Sequence, residues 1–593
     1  MDKYARQRGL VAQDVIADAD VQVYGSGPTL PYLLQCLALA GVASRHGQIR
    51  LAPEGRKVEE ADLFGQFLLR PDDLGKPIGD ALVDRVTVID QAIDIAVGEG
   101  SARCSIAVAV PRPSEIHELT RRGSINACGQ VYATSLHIGP APLPAEDFAP
   151  NVLTGALSAI CGGLLAQTVL CQLGAIVDGP AVLSSWFEER LWVSYPGIGN
   201  HARSALADGA EAPSFRGLLE RTASPEMADR IRVDVDGSRV DPRVTAIIDD
   251  DAVVITVPVS GGVPAPRRAE LRPSRRMPGP VTSQFWSPME GAGERDGHQL
   301  ENDSVRLPEG TSCRRIVVCG VGALGSWASA VIAASGIPGI ELCLVDMDGA
   351  VERHNLNRQV LFGDADLGQP KAQRAMARLT EINPKMGIKA FQVMVSPDLI
   401  DDLVHGPGRY EIADEVLGQM RSAYQQQIVG LAAELGGAAA VLSCPDNHQT
   451  RWSLNVIAEH LAIPLVNGAV DGFVGRVHVC DPNDRGRCLV CWLGESIARE
   501  PDRRSCTDVF DAAPVPSIVT SAAVVGGAQA AMAIAHFLDW DARVKRFHAF
   551  DGIAGTLEGW RAADRDPDEC PAHLTGRIQS TGGPGLAASK GVA

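Results

Sequence analysis

The stretch of residues 314–371 constrains the fold of this chain more than any other. An apolar run ends at Cys319 and meets a glycine turn, and small residues typical of a helix follow over residues 326–335. A second apolar run, residues 340–345, ends at Asp346. Strand, turn, helix, strand and terminal acid predict a nucleotide-binding half-unit of a doubly wound α/β sheet. The glycines of the turn are Gly320, Gly322 and Gly325.

Each part of this half-unit has a physical reason. Glycines let the backbone close on a phosphate at a helix N-terminus. An acid at the end of the second strand, here Asp346, suits a ribose hydroxyl. Because proteins that bind NAD, FAD and ATP share such turns, the turn alone indicates only a nucleotide. Two downstream pieces make the pattern more specific: residues 355–359, which read Asn-Leu-Asn-Arg-Gln, and the pair Pro370-Lys371.

Size and composition exclude several classes of protein. The 593 residues suggest two to four domains, and the 45% hydrophobic content excludes wholesale disorder. A net charge of −18 argues against nucleic acid as the main partner. Fourteen scattered cysteines and an N-terminus without an apolar signal core predict a reducing, cytoplasmic location. The uncharged residues 152–177 could span a bilayer, but their glutamines and glycines favour a buried helix, so no membrane contact is expected.

The first two hundred residues repeat the layout of the 314–371 stretch. Residues 21–24 lead into a glycine turn, residues 48–51 form a second strand, and Glu54 stands where Asp346 stands. A late apolar helix also recurs, at residues 157–173 and 524–538. This internal repeat predicts two tandem Rossmann-like domains that form a pseudo-dimer, and the uncharged run then becomes a buried helix of the first copy.

The first copy has lost the charged positions. Leu30 replaces the third glycine, Gly65 replaces the arginine at 358, and Ile78 replaces the lysine at 371. Where the second copy has Cys-Pro-Asp-Asn at residues 444–447, the first has Val-Pro-Arg-Pro. Each change removes a positive charge, a close backbone approach or a metal-binding carboxylate. The first copy is therefore expected to keep the fold and not to bind ATP with magnesium.

The predicted domain organisation has four parts. Residues 1–200 form the inactive copy, 201–300 a β-containing segment and linker, and 301–574 the active copy, with a disordered tail at 575–593. Strands are predicted within residues 230–259, and linkers at the Pro- and Arg-rich residues 264–280 and at the polar, Gly-bearing residues 291–309. Residues 400–435 are predicted to be a helical insertion in the active copy, followed by a strand at 438–443.

The second copy resembles the adenylating domain shared by ubiquitin-activating enzymes and the sulfur-carrier activators of thiamine and molybdopterin synthesis. The resemblance is carried by the glycine turn, the 355–359 piece, Pro370-Lys371, Asp446-Asn447 with Arg451 and Asn455, and a Cys-x-x-Cys pair. The first copy resembles the inactive half of eukaryotic ubiquitin-activating enzymes. The combination is most similar to the single-chain activating enzymes of bacterial ubiquitination-like operons.

The resemblance implies an ATP site in which a carboxylate attacks the α-phosphate. Asp346 would hold the ribose, Asp446 with its neighbour Asn447 would complete the site, and Asp446 would bind magnesium. The residues that would contact the phosphates are Asn355, Arg358, Gln359 and Lys371. Such a site needs cations and a metal ion to neutralise phosphate charge.

In this family an N-terminal Tyr-x-Arg-Gln segment reaches across the pseudo-dimer to the phosphates of the other half. Residues 4–7 read Tyr-Ala-Arg-Gln, and the stretch before Arg314 has no such motif. The resemblance therefore implies that Arg6 completes the site of the second copy.

Two cysteine arrangements carry further predictions. The set Cys488, Cys491, Cys570 and His573 has the spacing of a closed structural zinc site, with a redox Cys-x-x-Cys as the alternative. Cys506 lies in an Arg-Arg-Ser-Cys-Thr segment similar to the one that carries the thioester cysteine of ubiquitin-type activators. Two adjacent arginines would lower its thiol pKa. Cys444 is the next candidate nucleophile, although the apolar strand before it indicates packing.

These features predict ATP-dependent activation of a ubiquitin-like protein at its C-terminal glycine, capture on Cys506 and transfer to a conjugating enzyme. The implied cofactors are ATP, magnesium and structural zinc. Two alternatives remain: a sulfur-carrier adenylyltransferase, and a non-catalytic nucleotide-binding scaffold. The degenerate first copy argues against a sulfur-carrier adenylyltransferase. The intact residues Arg358, Lys371 and Asp446 argue against a non-catalytic scaffold.

Overall fold

A computed structural model describes two long parts of the chain and isolated strands between them. The described residues are 3–7, 10–108, 127–131, 135–139, 152–178, 181–185, 190–196, 245–248, 252–258, 272–273, 281–284, 314–347, 349–395, 426–482, 488–493, 516–538, 547–552 and 556–560.

The first part of the chain alternates strands with helices. Its elements are α1 (Gln13–Ala17), β1 (Val21–Tyr24), α2 (Thr29–Ala40), β2 (Ile49–Leu51), α3 (Ile78–Ile89), β3 (Ile95–Val97), β4 (Cys104–Val108), β5 (Ala127–Val131), β6 (Ser135–Gly139), α4 (Thr154–Gln172) and β7 (Val177–Asp178). Short 3-10 helices span Glu60–Leu63 and Pro71–Asp73.

The described middle of the chain consists of strands. They are β8 (Ala181–Ser185), β9 (Arg190–Pro196), β10 (Thr245–Ile248), β11 (Ala252–Pro258), β12 (Arg272–Pro273) and β13 (Val281–Gln284). Strands β8 to β11 form an antiparallel sheet in the order 10-11-9-8. Residues 264–280, expected to be linker, contain β12, which pairs with β7 of the first part. Strand β13 follows them and pairs with β6.

The second part repeats the alternation of strands and helices. Its elements are β14 (Arg314–Cys319), α5 (Ala323–Ala334), β15 (Ile340–Val345), α6 (Lys371–Ile382), β16 (Gly387–Phe391), β17 (Ala438–Ser443), α7 (His448–Leu461), β18 (Leu465–Asp471), β19 (Val474–Cys480), α8 (Leu489–Leu493), α9 (Val519–Phe537), β20 (Phe547–Asp551) and β21 (Thr556–Trp560). Residues 426–435 are also helical, and 3-10 helices span Arg353–Asn355 and Asp364–Asp366.

Two large sheets share one strand order. The first runs 3-2-1-4-5-6-13 and the second 16-15-14-17-18-19-20-21. Five neighbouring strands of each sheet are parallel. The next strand is antiparallel, as in β5–β6 and β18–β19. The fold is thus α/β with mainly parallel, Rossmann-like sheets, as the sequence predicts. A glycine turn follows the central strand β1 or β14 in each sheet.

A layer of helices packs between the two sheets. Helices α4 and α9 lie against each other, and α2 and α5 pack on them. Gly163 and Gly527 permit this approach, since an added Cβ would lie 3.0 Å from the Thr520 carbonyl and 3.1 Å from the Ala156 carbonyl respectively. The Thr520 hydroxyl donates a hydrogen bond of 2.7 Å to Gln167 across the contact.

Both α4 and α9 are apolar all round, which is typical of helices buried on every side. By length and composition each could cross a membrane, and each is wholly buried within the protein. The buried helix predicted for residues 152–177 is confirmed. One continuous apolar core joins the two parts, and the rings of Tyr32 and Trp327 meet in it at 6.3 Å between centroids.

Candidate active site

The glycine turn of the second sheet is built by close backbone contacts. Gly320 has φ +88° and lies against the strand β17 terminus, where an added Cβ would be 2.9 Å from the Cys444 carbonyl. At Gly325 an added Cβ would be 1.9 Å from the Gly320 carbonyl oxygen. These two positions accept only glycine for steric reasons. The turn starts α5, so backbone N–H groups are directed outward at its N-terminus.

Gly322 differs from the other two glycines because its Cβ position faces open space. The nearest heavy atom, Nε2 of Gln359, is 4.0 Å away. Gly322 is also the N-cap residue of α5. Space at a helix N-terminus is where a phosphate group binds in nucleotide-binding turns, so Gly322 has the geometry of a phosphate contact.

Asp346 lies at the C-terminal end of β15, beside the glycine turn. Its carboxylate accepts a hydrogen bond of 2.5 Å from the Val321 N–H. This is the place where a doubly wound sheet holds a ribose. Asp346 also lines a cavity of about 100 Å³ with residues of α6, β16 and the 426–435 helix. The lining residues are Asp346, Pro370, Ala372, Gln373, Ala390, Gln392 and Gln427.

Gln427 comes from the insertion whose role the sequence does not indicate. Its side-chain oxygen accepts a 2.7 Å hydrogen bond from the Gln392 N–H, so the described end of the insertion, residues 426–435, closes one wall of the cavity. No motif in the sequence signals this contact, because it depends on how the insertion folds back onto β16.

The 355–359 turn is buried and internally hydrogen-bonded. The Asn355 side-chain oxygen accepts from Gln359 Nε2 at 3.1 Å. Arg358 donates from Nη1 to the His354 carbonyl at 2.5 Å and to Asn357 Oδ1 at 2.8 Å. The indole N–H of Trp327 donates to the Arg358 carbonyl at 3.0 Å. Both the backbone and the guanidinium of Arg358 are therefore fixed before any ligand binds.

Three buried cations converge on His354. Arg6, Arg358 and Lys371 are all less than a tenth exposed. Burial, followed by these cations in the order Arg358, Arg6 and Lys371, lowers the pKa of His354 to about 4. It does so although a Glu352 carboxylate oxygen lies 2.9 Å from His354 Nδ1, a contact that favours the protonated ring. The region around His354 is thus strongly electropositive.

Lys371 occupies an unfavourable position that an anion would explain. It is the first residue of α6, directly after the N-cap Pro370. A buried cation at a helix N-terminus opposes the helix dipole, whereas an anion there is stabilised. The negative charge of a bound polyphosphate would offset the unfavourable interaction of Lys371 with the helix dipole.

Arg6 reaches the cluster because the N-terminal segment crosses from the first part to the second. Tyr4 is anchored in the first part, where its hydroxyl donates to Asp90 at 3.2 Å. The Arg6 carbonyl accepts from the Ser517 N–H at 2.8 Å in the second part. Leu10 packs on the β18–β19 turn, where an added Cβ at Gly472 would lie 3.1 Å from it.

The end of β17 presents a carboxylate beside the glycine turn. Asp446 is exposed there, and an exposed carboxylate oxygen is a suitable ligand for magnesium. Arg451 holds this turn, donating to the Pro445 carbonyl at 2.5 Å and to Asn467 at 2.6 Å, and burial lowers the pKa of Arg451 to about 10. Asn447 caps α7 by accepting from the Thr450 N–H at 2.8 Å. Its side chain therefore has a structural partner, and the capping signal was readable in the sequence.

Cys488 and Cys491, two of the four predicted zinc ligands, lie close together. Their sulfur atoms are 3.7 Å apart. Two sulfurs of a tetrahedral zinc site with bonds of about 2.3 Å are separated by roughly 3.8 Å, whereas a disulfide bond is about 2.05 Å. The pair fits zinc. Cys570 and His573 lie outside the described residues, and among the described residues no cluster of three or more metal-binding side chains occurs.

Of the two candidate nucleophiles, Cys444 lies among the described residues and Cys506 lies outside them. Cys444 is buried, and burial raises its pKa to about 12. A thiol with such a pKa is almost wholly protonated at neutral pH and is a poor nucleophile.

Comparison with known proteins agrees with this geometry. The sequence profile of the ThiF family matches residues 310–572. A protein of Haloferax volcanii named SAMP-activating enzyme E1 is 30% identical over 295 residues, which are 48% of this chain and 93% of the relative. The chain belongs to the ThiF family.

Two similar proteins of Escherichia coli are named adenylyltransferases. The sulfur carrier protein ThiS adenylyltransferase is 28% identical over 258 residues, covering 43% of this chain and 84% of the relative. The molybdopterin-synthase adenylyltransferase is 32% identical over 177 residues, covering 30% of this chain and 57% of the relative. The ThiF-family match contains the glycine turn, the cation cluster residues 358 and 371, and Cys488–Cys491, and it begins after the first sheet.

Proposed function

We propose that this ThiF-family chain uses ATP to adenylate the C-terminal glycine of a small ubiquitin-like or sulfur-carrier protein. One observation supports this most strongly: Arg6, Arg358 and Lys371 are buried together beside a glycine turn and an acid suited to ribose. Their combined charge is matched to a polyphosphate rather than to a dinucleotide, whose pyrophosphate needs less neutralisation. The relatives' names, which include adenylyltransferases and an activating enzyme E1, support the same class.

In the proposed reaction, a carboxylate oxygen of the terminal glycine attacks the α-phosphorus of ATP. The bond from that phosphorus to the bridging oxygen breaks, and pyrophosphate leaves with the electron pair. Arg358, Lys371 and Arg6 stabilise the charge that builds on the phosphate oxygens, and Gly322 leaves room for them. Asp446 would hold magnesium, which supplies further neutralisation of phosphate charge when bound.

The finer proposal adds a thioester on Cys506. The Cys506 thiolate would attack the acyl carbon of the adenylate and release AMP, and a conjugating-enzyme cysteine would then take the acyl group by transthiolation. Arg503 and Arg504 would favour the thiolate. The raised pKa of Cys444 supports Cys506 over Cys444 as the nucleophile.

We further propose that the first sheet belongs to a degenerate copy and that each chain has one working site. Two features support this. In the first part Arg56 pairs with Glu54 at 2.8 Å and with Asp62 at 2.6 Å, so the counterpart of the ribose acid already has an internal partner. Gly65, which stands where an arginine would be needed, packs against Gly155, leaving 3.1 Å to an added Cβ.

A structural zinc site is also proposed, with Cys488, Cys491, Cys570 and His573 as ligands. When bound, zinc would fix α8 relative to residues 570–573. Asn455 already ties α8 to α7, because its side-chain oxygen accepts from the Leu489 N–H at 2.6 Å.

The test is to incubate the protein with ATP, magnesium and candidate modifiers, and to follow pyrophosphate exchange into ATP and covalent adducts on gels. A thioester adduct resists a phosphine reductant and is cleaved by neutral hydroxylamine. Cys506→Ala should abolish the adduct and keep pyrophosphate exchange, while Cys36→Ala, at a thiol buried in α2, should change neither. Absence of exchange with every candidate contradicts adenylation of those candidates.

Sulfur-carrier activation is the second candidate function, favoured by the names of the two Escherichia coli relatives. It predicts that a persulfide donor protein, added to the same mixture, transfers its outer sulfur to Cys506 and is left as a thiol. The Cys506 persulfide then attacks the acyl carbon of the adenylate and releases AMP, which leaves an acyl-disulfide that a phosphine cleaves and whose mass exceeds that of the thioester by one sulfur atom. The two adducts are therefore separated by one reductant and one mass measurement.

A further inference from the structure

A chain of buried carboxamides joins the first part of the protein to Arg358. Gln7 donates from Nε2 to the Ala40 carbonyl at the end of α2, at 2.7 Å, and to Gln13 at 2.6 Å. Its Oε1 accepts from Asn357 Nδ2 at 3.2 Å. Asn357 Oδ1 in turn accepts from Arg358 Nη1 at 2.8 Å. Gln7 and Asn357 are fully buried, each at 0% exposure.

This chain has one allowed orientation. The Ala40 carbonyl can only accept, so the amide nitrogen of Gln7 must face it and the oxygen must face Asn357. That oxygen requires the nitrogen of Asn357, which leaves the oxygen of Asn357 towards Arg358. If either amide turned over, two like groups would meet, and a buried polar group without a partner costs stability.

We infer that Gln7 is a positioning residue for Arg358, acting through Asn357. The carbonyl at the end of α2 sets the amide of Gln7, and Gln7 sets the amide whose oxygen holds the guanidinium. The inference rests on the proposed function, since it assigns Arg358 to the phosphates of ATP. The N-terminal segment would then supply Arg6 to the site and also orient Arg358.

The contacts of Arg358 show why the orientation of its guanidinium depends on Asn357. One Nη1 atom is shared between the His354 carbonyl and Asn357, and the backbone is held by Trp327. Removal of Gln7 Oε1 takes away the acceptor for the amide nitrogen of Asn357. The released amide can then turn its NH2 group towards Arg358, which places a donor beside the guanidinium. The guanidinium would move away from that donor, and small displacements of catalytic groups are costly.

The test replaces Gln7 with an apolar side chain of similar length and then removes the orientation requirement. Gln7→Met should weaken ATP binding, measured by calorimetry, about tenfold, and should reduce pyrophosphate exchange by at least as much. Asn357→Asp added to Gln7→Met should restore ATP affinity to within about threefold of wild type, because a carboxylate presents an oxygen to Arg358 in either orientation. In an otherwise wild-type chain, Asn357→Asp should weaken binding, since its second oxygen would oppose Gln7 Oε1.

A matched control separates positioning from packing. Gln22 is also 0% exposed, and its amide donates to the carbonyls of Arg50 and Gly98 within the first sheet. Gln22→Met should lower the melting temperature as much as Gln7→Met while leaving ATP affinity unchanged.

The outcomes are distinct. Loss in Gln7→Met with rescue by Asn357→Asp supports the relay. Wild-type affinity in Gln7→Met, or a loss that Asn357→Asp does not restore, overturns it, and a chain that binds no ATP overturns it too. If the wild type binds ATP and the rescue is seen, but no modifier supports exchange, the relay stands and adenylation of those modifiers fails.

Discussion

His354 provides an electrostatic test of the cation cluster. Its pKa is lowered to about 4 from 6.5 by burial and by Arg358, Arg6 and Lys371. A bound triphosphate would place several negative charges among these cations and cancel much of their field. The pKa of His354 should therefore rise when ATP binds, and the site should take up a proton.

The size of this uptake follows from the two pKa values. At a pH of about 6, a group with a pKa near 4 is protonated in roughly 1% of molecules, and one at its ordinary value in about 75%. Full relief would take up about 0.75 proton per ATP, and relief of half the shift about 0.15 proton. At a pH near 8 the uptake should vanish, so ATP affinity should increase as the pH falls from about 8 to 6.

The assay is calorimetric titration with ATP in buffers of different ionisation enthalpy, which counts protons directly. Because ATP itself titrates in this range, the relevant quantity is the difference between wild type and His354→Gln. That difference should be positive near pH 6 and absent near pH 8. His460→Gln, at an exposed histidine in the last turn of α7, is the control and should match wild type. Equal proton counts in wild type and His354→Gln would refute the placement of the three cations around bound phosphate.

Three further predictions concern the turn, the metal pair and the helix layer. Gly325→Ala puts a Cβ 1.9 Å from the Gly320 carbonyl oxygen and should lower the melting temperature and abolish ATP binding. Gly322→Ala, with 4.0 Å of clearance, should weaken ATP binding and leave the melting temperature unchanged. Equal melting temperatures for the two variants would argue against this geometry. Cys488→Ser should reduce bound zinc, measured by elemental analysis, from one per chain towards none, and an unchanged content would exclude the proposed site. Gly527→Leu forces α4 and α9 apart and should cost about 3 kcal/mol in unfolding experiments, so an unchanged unfolding curve would contradict the tight helix contact.

The sequence predicts the sheet strands of the second part closely because their apolar runs are short and bounded by glycine or acid. The expected strand 340–345 and the expected strand 438–443 coincide with β15 and β17. The helix expected at 326–335 begins three residues earlier, at Ala323, because the turn glycines themselves start it. Strong local periodicity leaves little for tertiary contacts to decide.

Contacts between distant segments could not be predicted in the same way. Gln7 and Asn357 are separated by 350 positions, and neither carries a local pattern that requires the other. Strand β12 lies in a segment expected to be linker, since two residues without alternation do not stand out in a sequence. Asn447 shows the opposite case, because an Asn directly before a helix is a local capping signal and its side chain does cap α7.

Nucleotide stoichiometry distinguishes one working ATP site per chain from two. The proposed site lies in the second sheet and is completed by Arg6 from the N-terminal segment. Equilibrium dialysis with ATP and magnesium should give one ATP per chain, lost in Lys371→Ala and retained in Arg56→Ala, which changes only the first part. Two ATP molecules per chain, or one that persists in Lys371→Ala, would contradict it.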